Sequence, residues 1–449
     1  MPTPEPTAPA KAAALESLPA EPAAASAASG PAPSSRSPSP GARGAAAKGE
    51  RINVLLLENI HPSATEAFTR EGFHVEQLPK ALPAPQLRER LAQVHLLGIR
   101  SKTRLTAEIL QAAPHLLSVG CFCIGTNQVE LAAAGRQGVP VFNAPFSNTR
   151  SVAEMIIAEI IALSRQLGDR SRELHAGSFR KVAAGCNEVR GKTLGIVGYG
   201  HIGSQVGVLA EALGMRVLFY DIASKLALGN CRSCDSLAEL LGASDYVTLH
   251  VPATPQTHLM IKEAELAAMR PGSYLLNASR GTVVDITALA AALKRQHLSG
   301  AAIDVYPEEP EENSDGFVTP LQGLPNVILT PHIGGSTQEA QANIGREVAT
   351  SLIKFMNQGA TTGAVNFPQV ELAACPGTHR LLNVHRNVPG VLRDINRVVS
   401  ELNANIHSQL LSTDSDIGYL IMDLDQDVSE QVGARLRELA TGIRTRVVS

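Results

Sequence analysis

Three residues suited to anion binding and proton transfer, Arg280, Glu309 and His332, each follow a short apolar run in the C-terminal half of the chain. A guanidinium group can grip a carboxylate with two parallel hydrogen bonds and polarise an oxo group. A histidine paired with a carboxylate is an oriented base that exchanges a proton near neutral pH. Hydride transfer from the hydroxyl carbon of a 2-hydroxy acid requires these groups together with a nicotinamide cofactor.

A glycine-rich segment, Gly-Tyr-Gly-His-Ile-Gly at 198–203, follows another apolar run and precedes a helical pattern. We expect Gly198 to allow the tight turn, Gly200 to let the backbone approach a pyrophosphate, and Gly203 to allow close helix–strand packing. The helix N-terminus offers free N–H groups to the phosphates. Asp221 ends the next apolar run, 18 residues after the last glycine. A carboxylate there can bond the ribose hydroxyls and repels a 2′-phosphate, so NAD is predicted rather than NADP.

Short apolar runs alternating with helical patterns predict the elements that carry these residues. This alternation is typical of parallel, doubly wound sheets, in which ligands bind at the carboxyl ends of the strands. A helical stretch from Ser151 to Leu174 could connect two domains. The six strands predicted for the sheet behind the glycine-rich segment are Thr193–Val197, Arg216–Tyr220, Tyr246–His250, Ser273–Asn277, Ala301–Val305 and Val327–Thr330.

The predicted fold class is α/β, with a flavodoxin-like substrate domain, a Rossmann-type NAD domain and a C-terminal ferredoxin-like unit. That last unit shows the order strand–helix–strand–strand–helix–strand. Residues 1–50 hold 10 of the 28 prolines and few large apolar side chains, so we expect them to be disordered. The predicted boundaries are 1–50 for the extension, 51–148 with 332–366 for the substrate domain, 149–331 for the NAD domain and 379–449 for the C-terminal unit.

Composition excludes several classes of protein. The 449 residues carry 39 Lys and Arg against 42 Asp and Glu, a net charge of −3. A protein that binds nucleic acids or membrane surfaces generally would carry a basic excess, so neither partner is expected. No apolar run is long enough for a transmembrane helix. Six cysteines without a secretory signal indicate free thiols in a reducing, cytoplasmic compartment.

Two of the cysteines, Cys231 and Cys234, form a C-x-x-C pattern. A zinc site would need a second matched pair or histidines at defined spacing, and the sequence offers neither. We therefore predict that no metal is bound and that these two cysteines are loop thiols.

Four segments, 197–203, 277–285, 304–310 and 330–335, resemble the D-isomer-specific 2-hydroxyacid dehydrogenase family. The segments 120–128 and 142–154 are most similar to the members that oxidise D-3-phosphoglycerate in the first committed step of L-serine synthesis. The resemblance extends over residues 51–449. It implies that His332 is the proton donor and acceptor, that Glu309 orients it, and that Arg280 anchors the substrate.

The resemblance also implies further ligand-binding residues. It implies an NAD site formed, besides the three glycines and Asp221, by His201, Ile202, Ala278, Ser279, Arg280, Asp304, His332, Ile333, Gly334 and Gly335. It implies a substrate site formed by Arg100, Ser101, Lys102, Asn148, Arg280 and, from a neighbouring subunit, Lys181. Two cations and a hydroxyl at 100–102 suit a phosphate monoester.

Residues 379–449 resemble an ACT domain, a small module that senses amino acids. In such domains the residues that match His385, Asn387 and Asn405 hold serine across a dimer of domains. The resemblance therefore implies feedback inhibition by L-serine, and a homotetramer formed through NAD-domain and ACT-domain contacts.

Two other functions stay open at this point. One is a D-2-hydroxyacid dehydrogenase that acts on another substrate, such as glycerate or lactate. The other is an NAD-sensing co-repressor, a binding protein with the same fold and the same His–Glu–Arg set. The other dehydrogenases are disfavoured by Arg100, Lys102 and the ACT-like unit. A co-repressor is disfavoured because it would have no use for an amino-acid sensor. The same arginines could also accept the second carboxylate of 2-oxoglutarate, a possible side activity.

Overall fold

The computed structural model describes residues 51–310, 314–425 and 428–448. The predicted disordered extension, residues 1–50, lies outside the described residues. Three separate β-sheets organise the described part of the chain. No helix among the described residues is both long enough and apolar enough to cross a membrane.

The first sheet has five parallel strands in the order β2-β1-β3-β4-β5, which is the flavodoxin-like order predicted from the sequence. Its strands are β1 (Asn53–Leu56), β2 (His74–Gln77), β3 (Leu96–Ile99), β4 (Ser118–Cys121) and β5 (Val141–Phe142). Its intervening helices are α1 (Pro62–Arg70), α2 (Ala84–Leu91), α3 (Ala107–Gln111) and α4 (Leu131–Arg136). Strands β3 and β4 are buried along their whole length, as expected for apolar runs covered on both faces.

The second sheet is parallel and Rossmann-like, and its order is β12-β11-β10-β9-β6-β7-β8. The strands are β6 (Thr193–Val197), β7 (Arg216–Tyr220), β8 (Arg232–Ser233), β9 (Tyr246–Leu249), β10 (Tyr274–Asn277), β11 (Gly300–Ile303) and β12 (Val327–Leu329). The covering elements are α7 (His201–Ala212), α8 (Leu237–Ala243), α9 (Glu263–Ala268), the 3₁₀ helix η1 (Gly281–Val283) and α10 (Ile286–Lys294).

The number of strands in this sheet corrects the sequence-based prediction. The sheet has seven strands rather than six, because the two-residue strand β8 pairs with the edge of β7. Cys231 and Cys234 lie in the loop positions on either side of β8, as predicted, and both are buried. Burial raises the pKa of both thiols, which keeps them protonated and poorly nucleophilic.

The predicted helix from Ser151 to Leu174 is two helices, α5 (Thr149–Arg165) and α6 (Leu167–His175). The chain breaks between them at Gln166, whose φ of 54° lies in the left-handed region. Glutamine has no special preference for this conformation, so the residue type at position 166 does not indicate that the helix ends there. Helix α5 begins directly behind Asn148 and packs against α7 and against strands β10–β12 of the second sheet.

The third sheet is antiparallel, with the order β14-β15-β13-β16, and confirms the ferredoxin-like unit. Its strands are β13 (Thr378–Arg386), β14 (Ile406–Thr413), β15 (Ile417–Asp425) and β16 (Gly442–Val448). Its helices, α12 (Val391–Glu401) and α13 (Ser429–Arg437), cover one face around Ile395 and Leu436.

The other face of the third sheet packs against the first sheet. Helix α11 (Gln338–Gln358) lies on α1 and β4, and its residues Leu352 and Phe355 belong to the same apolar cluster as Leu382 and Tyr419 of the third sheet. The Tyr419 hydroxyl also donates to the Gly359 carbonyl oxygen over 2.7 Å. The first and third sheets thus share one hydrophobic core.

A buried ion pair, Arg380 with Asp423, joins β13 to β15. The guanidinium donates to both carboxylate oxygens over 2.7 and 2.8 Å and also to the carbonyl oxygens of Gln358, Leu372 and Ala373. We expect Arg380→Met to lower the free energy of unfolding by about 3–5 kcal/mol, since Asp423 would be left buried without a cation. Urea unfolding followed by circular dichroism measures the change.

The matched control is Arg397→Met, which removes an exposed guanidinium that lies 3.9 Å from Glu401. This variant is expected to lose less than about 1 kcal/mol. Equal losses for the two variants would contradict the role assigned to Arg380.

Candidate active site

The structure brings His332 and Glu309 together. Nδ1 of His332 lies 2.7 Å from Oε2 of Glu309, and Oε1 of Glu309 accepts the Tyr306 N–H over 3.0 Å. Burial alone would raise the pKa of Glu309, but the hydrogen bonds from His332 and Tyr306 outweigh it and lower the pKa. Because an ionised carboxylate only accepts hydrogen bonds, Nδ1 must carry a proton and Nε2 of the neutral ring is free to act as a base.

Asp304, at the end of β11, holds the backbone that carries the histidine. Its carboxylate accepts the N–H groups of Ile333 and Gly334 over 2.8 and 2.9 Å and the Thr330 hydroxyl over 2.6 Å. The N–H of His332 donates to the Asp304 carbonyl oxygen. His332 itself has a left-handed φ of 54°, so this network fixes a backbone conformation that costs about 1 kcal/mol.

A pH prediction follows from the His332–Glu309 pair. The hydrogen bond to Glu309 raises the pKa of His332, and burial only partly opposes this. Oxidation of an alcohol needs neutral His332, so the oxidation rate should rise as pH passes upward through this raised pKa. We expect Glu309→Gln to move that rise to lower pH, because an amide stabilises the imidazolium charge less.

The pH dependence of kcat/KM in both directions measures the shift. Reduction needs the imidazolium, so its decline with rising pH should move in the same direction. Glu308→Gln, at the exposed neighbouring carboxyl, is the control. If the pH midpoints of kcat/KM are the same in Glu309→Gln as in the wild type, the pairing of Glu309 with His332 is contradicted.

Arg100 of the first sheet and Arg280 of the second lie near the same thiol, Cys123. Burial raises the pKa of Cys123 to about 11, against the lowering effect of the Gln128 hydrogen bond and of the charges on Arg100 and Arg280. Arg280 also contributes to the electrostatics of His332 and Glu309. Charges that follow strands of both sheets therefore act on Cys123, and the charge of Arg280 also acts on the acid–base pair.

The other predicted substrate residues fall into two groups. Ser101 and Lys102 are exposed on the loop that follows β3, and Asn148 lies against Gly335, where the chain crosses between the sheets. Lys181 is exposed on the loop after α6, and within the described ranges it makes no hydrogen bond or ion pair with a site residue. This chain alone does not bring Lys181 into the site.

The glycine-rich segment has the geometry that a dinucleotide needs. Gly198 has a φ of 90°, and a Cβ there would lie 2.4 Å from the His250 carbonyl oxygen. A Cβ on Gly203 would lie 2.2 Å from the Gly198 carbonyl oxygen. Gly200, in contrast, faces open space, with no atom within 4 Å of an added Cβ. This cradle at the start of α7 fits a pyrophosphate.

Asp221 lies at the end of β7 beside the glycine-rich turn. One carboxylate oxygen accepts the Tyr199 N–H and the other accepts the Ala223 N–H, each over 2.9 Å. Both oxygens keep a lone pair for a ribose hydroxyl, and their charge disfavours a 2′-phosphate. The imidazole of His201 stacks on Phe146 in the loop between β5 and α5, with ring centroids 3.8 Å apart.

The remaining predicted NAD residues surround the same edge of the sheet. Ser279 is buried and donates its hydroxyl to Asn277 Oδ1 over 2.7 Å. Arg280 donates to the Ser279 carbonyl oxygen, also over 2.7 Å. Ala278 and Ile202 pack against the cluster that lies between this sheet and α5.

Sequence reasoning missed two buried carboxyl groups near the site. Glu159 on α5 is buried, and burial together with the charge of Asp304 raises its pKa to about 8, so it is mostly protonated at neutral pH. Glu58 follows β1 and bonds the backbone of the loop after β3. Each had a signal in the sequence: Glu159 interrupts an apolar helical stretch, and Glu58 directly follows an apolar strand.

The predicted serine residues are only partly brought together. His385 is buried, its Nδ1 lies 2.8 Å from Asn383 Oδ1, and burial lowers its pKa. Asn387 follows it and donates to the Asp414 carbonyl oxygen. Asn405 precedes β14 at the opposite end of the sheet, level with residue 379 but on the other side of β15, so it lies about 20 Å from His385.

Comparisons with known proteins match both the NAD-binding part and the C-terminal part of the chain. The family model for the NAD binding domain of D-isomer specific 2-hydroxyacid dehydrogenases matches residues 157–334, and the model for the AHAS small subunit-like ACT domain matches residues 381–444. A D-3-phosphoglycerate dehydrogenase of Dictyostelium discoideum is 55% identical over 399 residues, which cover 89% of this chain and 98% of the relative. The protein of that name in Escherichia coli K12 is 50% identical over 402 residues, with 89% and 98% covered.

Solved structures show the same fold. The D-lactate dehydrogenase of Aquifex aeolicus, determined with NAD and lactic acid, is 29% identical with a TM-score of 0.61. The match covers 71% of this chain and 100% of that one. Identity of 50% or more over nearly the full length of the relatives, together with the NAD-binding family model, establishes membership. The chain belongs to the D-isomer-specific 2-hydroxyacid dehydrogenases and is an NAD-dependent oxidoreductase with a C-terminal ACT domain.

Proposed function

We propose that this enzyme oxidises D-3-phosphoglycerate at C2 to 3-phosphooxypyruvate, the first step of L-serine synthesis. The observation that carries the proposal is the 2.7 Å contact between His332 Nδ1 and Glu309 Oε2, with the charge of Arg280 acting on both groups. The relatives named D-3-phosphoglycerate dehydrogenase support the choice of substrate.

The substrate has two anionic ends, and the site offers cations for both. We assign the C1 carboxylate to Arg280, whose planar guanidinium matches a carboxylate. The phosphate is assigned to the loop of Arg100, Ser101 and Lys102 after β3, with Asn148 beside it. Lys181 of a neighbouring subunit would add a further cation to the same site.

In the proposed mechanism, Nε2 of neutral His332 accepts the proton of the C2 hydroxyl. Glu309 stabilises the imidazolium that forms, and Arg280 holds the carboxylate and polarises the developing oxo group. The glycine-rich turn and Asp221 would hold NAD⁺, which would supply the acceptor for the hydride from C2. In the reverse direction His332 returns the proton.

NADH oxidation with 3-phosphooxypyruvate, hydroxypyruvate and 2-oxoglutarate tests the substrate. Fast oxidation with the phosphorylated substrate supports the proposal, and slower oxidation with 2-oxoglutarate would establish the proposed side activity. Preference for an unphosphorylated substrate would favour another D-2-hydroxyacid dehydrogenase. Bound NADH without turnover of any of the three would favour an NAD-sensing binding protein.

We also propose that L-serine inhibits the enzyme through the ACT domain. The turn at Asn387 lines a cleft of about 880 Å³ between the third sheet and helices α3 and α4, so a ligand at the turn adjoins the first domain. Titration of L-serine against the initial rate tests this proposal. Inhibition that is lost in Asn387→Ala supports it, and full activity at millimolar serine contradicts it.

The proposed assembly is a homotetramer that forms through the NAD and ACT domains. The separation of Asn405 from His385 supports a pair of ACT domains. If His385, Asn387 and Asn405 bind one serine together, Asn405 must come from a second copy of the domain. Helix α6 and the loop that follows it expose three large apolar side chains, Leu167, Leu174 and Phe179. Exposed apolar residues of this kind suit a contact between two NAD domains. Light scattering after size-exclusion chromatography measures the mass.

A further inference from the structure

Two buried polar side chains hold the loop that follows β3. The carboxylate of Glu58 accepts the N–H groups of Lys102 and Thr103 over 2.9 and 2.8 Å. From the other side, Nε2 of Gln128 donates to the Arg100 carbonyl oxygen over 2.6 Å. The backbone on both sides of Ser101 is therefore fixed by side chains from elsewhere in the first domain.

Glu58 occupies a strained position. It is buried, its φ is 66°, and the next residue, Asn59, has a φ of 53°. The left-handed conformation costs a non-glycine residue about 1–2 kcal/mol. Strain of this kind persists where the surrounding structure requires it, commonly at ligand sites. Here it turns the Glu58 side chain from the end of β1 towards the loop.

The carboxylate of Glu58 serves the loop backbone rather than a cation. Within the described ranges it makes no ion pair, and its two oxygens each accept one N–H from consecutive residues. A buried charge without a counter-ion is costly unless hydrogen bonds satisfy it, and charge-assisted bonds are about twice as strong as neutral ones. These two bonds therefore fix the orientation of both peptide groups.

Gln128 makes the matching contact to the carbonyl side of the loop. It is buried, and the same Nε2 also lies 3.3 Å from the Gly125 carbonyl oxygen. Its own backbone carbonyl oxygen accepts the Leu105 N–H. The loop thus lies between the end of β1 and the segment 125–129, and its exposed side chains project from a fixed backbone.

We propose that Glu58 and Gln128 are positioning residues that hold the Arg100–Lys102 loop in the geometry that binds a phosphate monoester. They act through the loop and set the preference for a phosphorylated over an unphosphorylated substrate. The inference rests on the proposed function, since it takes this loop as the phosphate-binding element. It predicts a selective effect on the phosphate end of the substrate and none on the cofactor.

The test compares full-length Glu58→Gln and Gln128→Met with Glu66→Gln, which changes an exposed glutamate on α1. In Glu58→Gln one acceptor becomes an NH₂ group that faces a backbone N–H, so one bond is lost and the acceptor of the other bond is no longer charged. We expect KM for 3-phosphooxypyruvate to rise about tenfold, with kcat changed by less than about twofold. KM for hydroxypyruvate and Kd for NADH should stay within about twofold, and Gln128→Met should act in the same direction.

Inorganic phosphate gives a second readout that does not need turnover of a phosphorylated substrate. Its inhibition constant in the hydroxypyruvate assay should rise about tenfold in Glu58→Gln and stay unchanged in Glu66→Gln. A wild-type enzyme that fails to use 3-phosphooxypyruvate would contradict the proposed function, whereas the phosphate readout would still test the loop.

A purely structural role gives a different pattern. If Glu58→Gln and Gln128→Met lower the melting temperature but leave the ratio of the two KM values and the phosphate inhibition unchanged, the positioning role is overturned. An equal rise in KM for both substrates would overturn it as well. Because the two residues act on opposite sides of the loop, one variant remains informative if the other does not fold.

Discussion

Replacing His332 with alanine is expected to lower kcat by about a thousandfold in both directions, within the range that general acid–base catalysis contributes. The variant loses the group that exchanges the proton of the C2 hydroxyl, and no other imidazole is paired with a carboxylate among the described residues of this site. Kd for NADH should change little, because the backbone bonds from Ile333 and Gly334 to Asp304 do not involve the imidazole. Stopped-flow turnover and NADH fluorescence measure the two quantities.

The left-handed backbone at His332 calls for a second variant. Asparagine tolerates this conformation better than alanine, so His332→Asn removes the base with less effect on the loop. Both variants should lose the same activity. Turnover within tenfold of the wild type in His332→Asn would overturn the assignment of His332 as the catalytic base.

Replacing Arg280 with lysine is expected to lower kcat/KM for the oxo acid by about 100- to 1000-fold. Lysine keeps the positive charge, but an ammonium group cannot make two parallel hydrogen bonds to a carboxylate or hold an oxo group in the same plane. Steady-state reduction of 3-phosphooxypyruvate measures the loss.

The control for Arg280 is Arg295→Lys, at an exposed position behind α10, which should behave as wild type. Because Arg280 acts on the oxo acid, Kd for NADH should change much less than KM for the substrate. A loss confined to NADH affinity would instead place Arg280 in the cofactor site alone.

Much of the fold could be predicted because its central strands are buried on both faces. Thr193–Val197 and Arg216–Tyr220 were predicted with the bounds that the structure shows. Such strands are continuous apolar runs, and their ends are marked by the glycine turn and by Asp221. The carboxyl ends of parallel strands lie at one edge, so Glu309 and His332 could be expected at the same edge. Their pairing was implied by the family resemblance.

Other features depend on contacts that sequence patterns do not record. Strand β8 has only two residues and forms by pairing with the edge strand β7. The break at Gln166 arises in a continuous helical pattern. Glu58 lies more than forty residues from the N–H groups it accepts, so its partner could only be found in the folded chain.

The shared core of the first and third sheets has a mechanical consequence. Interiors packed this densely transmit displacement instead of absorbing it. Because Phe355 of α11 and Tyr419 of the third sheet belong to the same apolar cluster, the C-terminal unit is mechanically coupled to helix α11. A rotation of the C-terminal unit must therefore move helix α11 as well. Because α11 begins only a few residues after His332, such a rotation reaches the segment that carries the catalytic histidine.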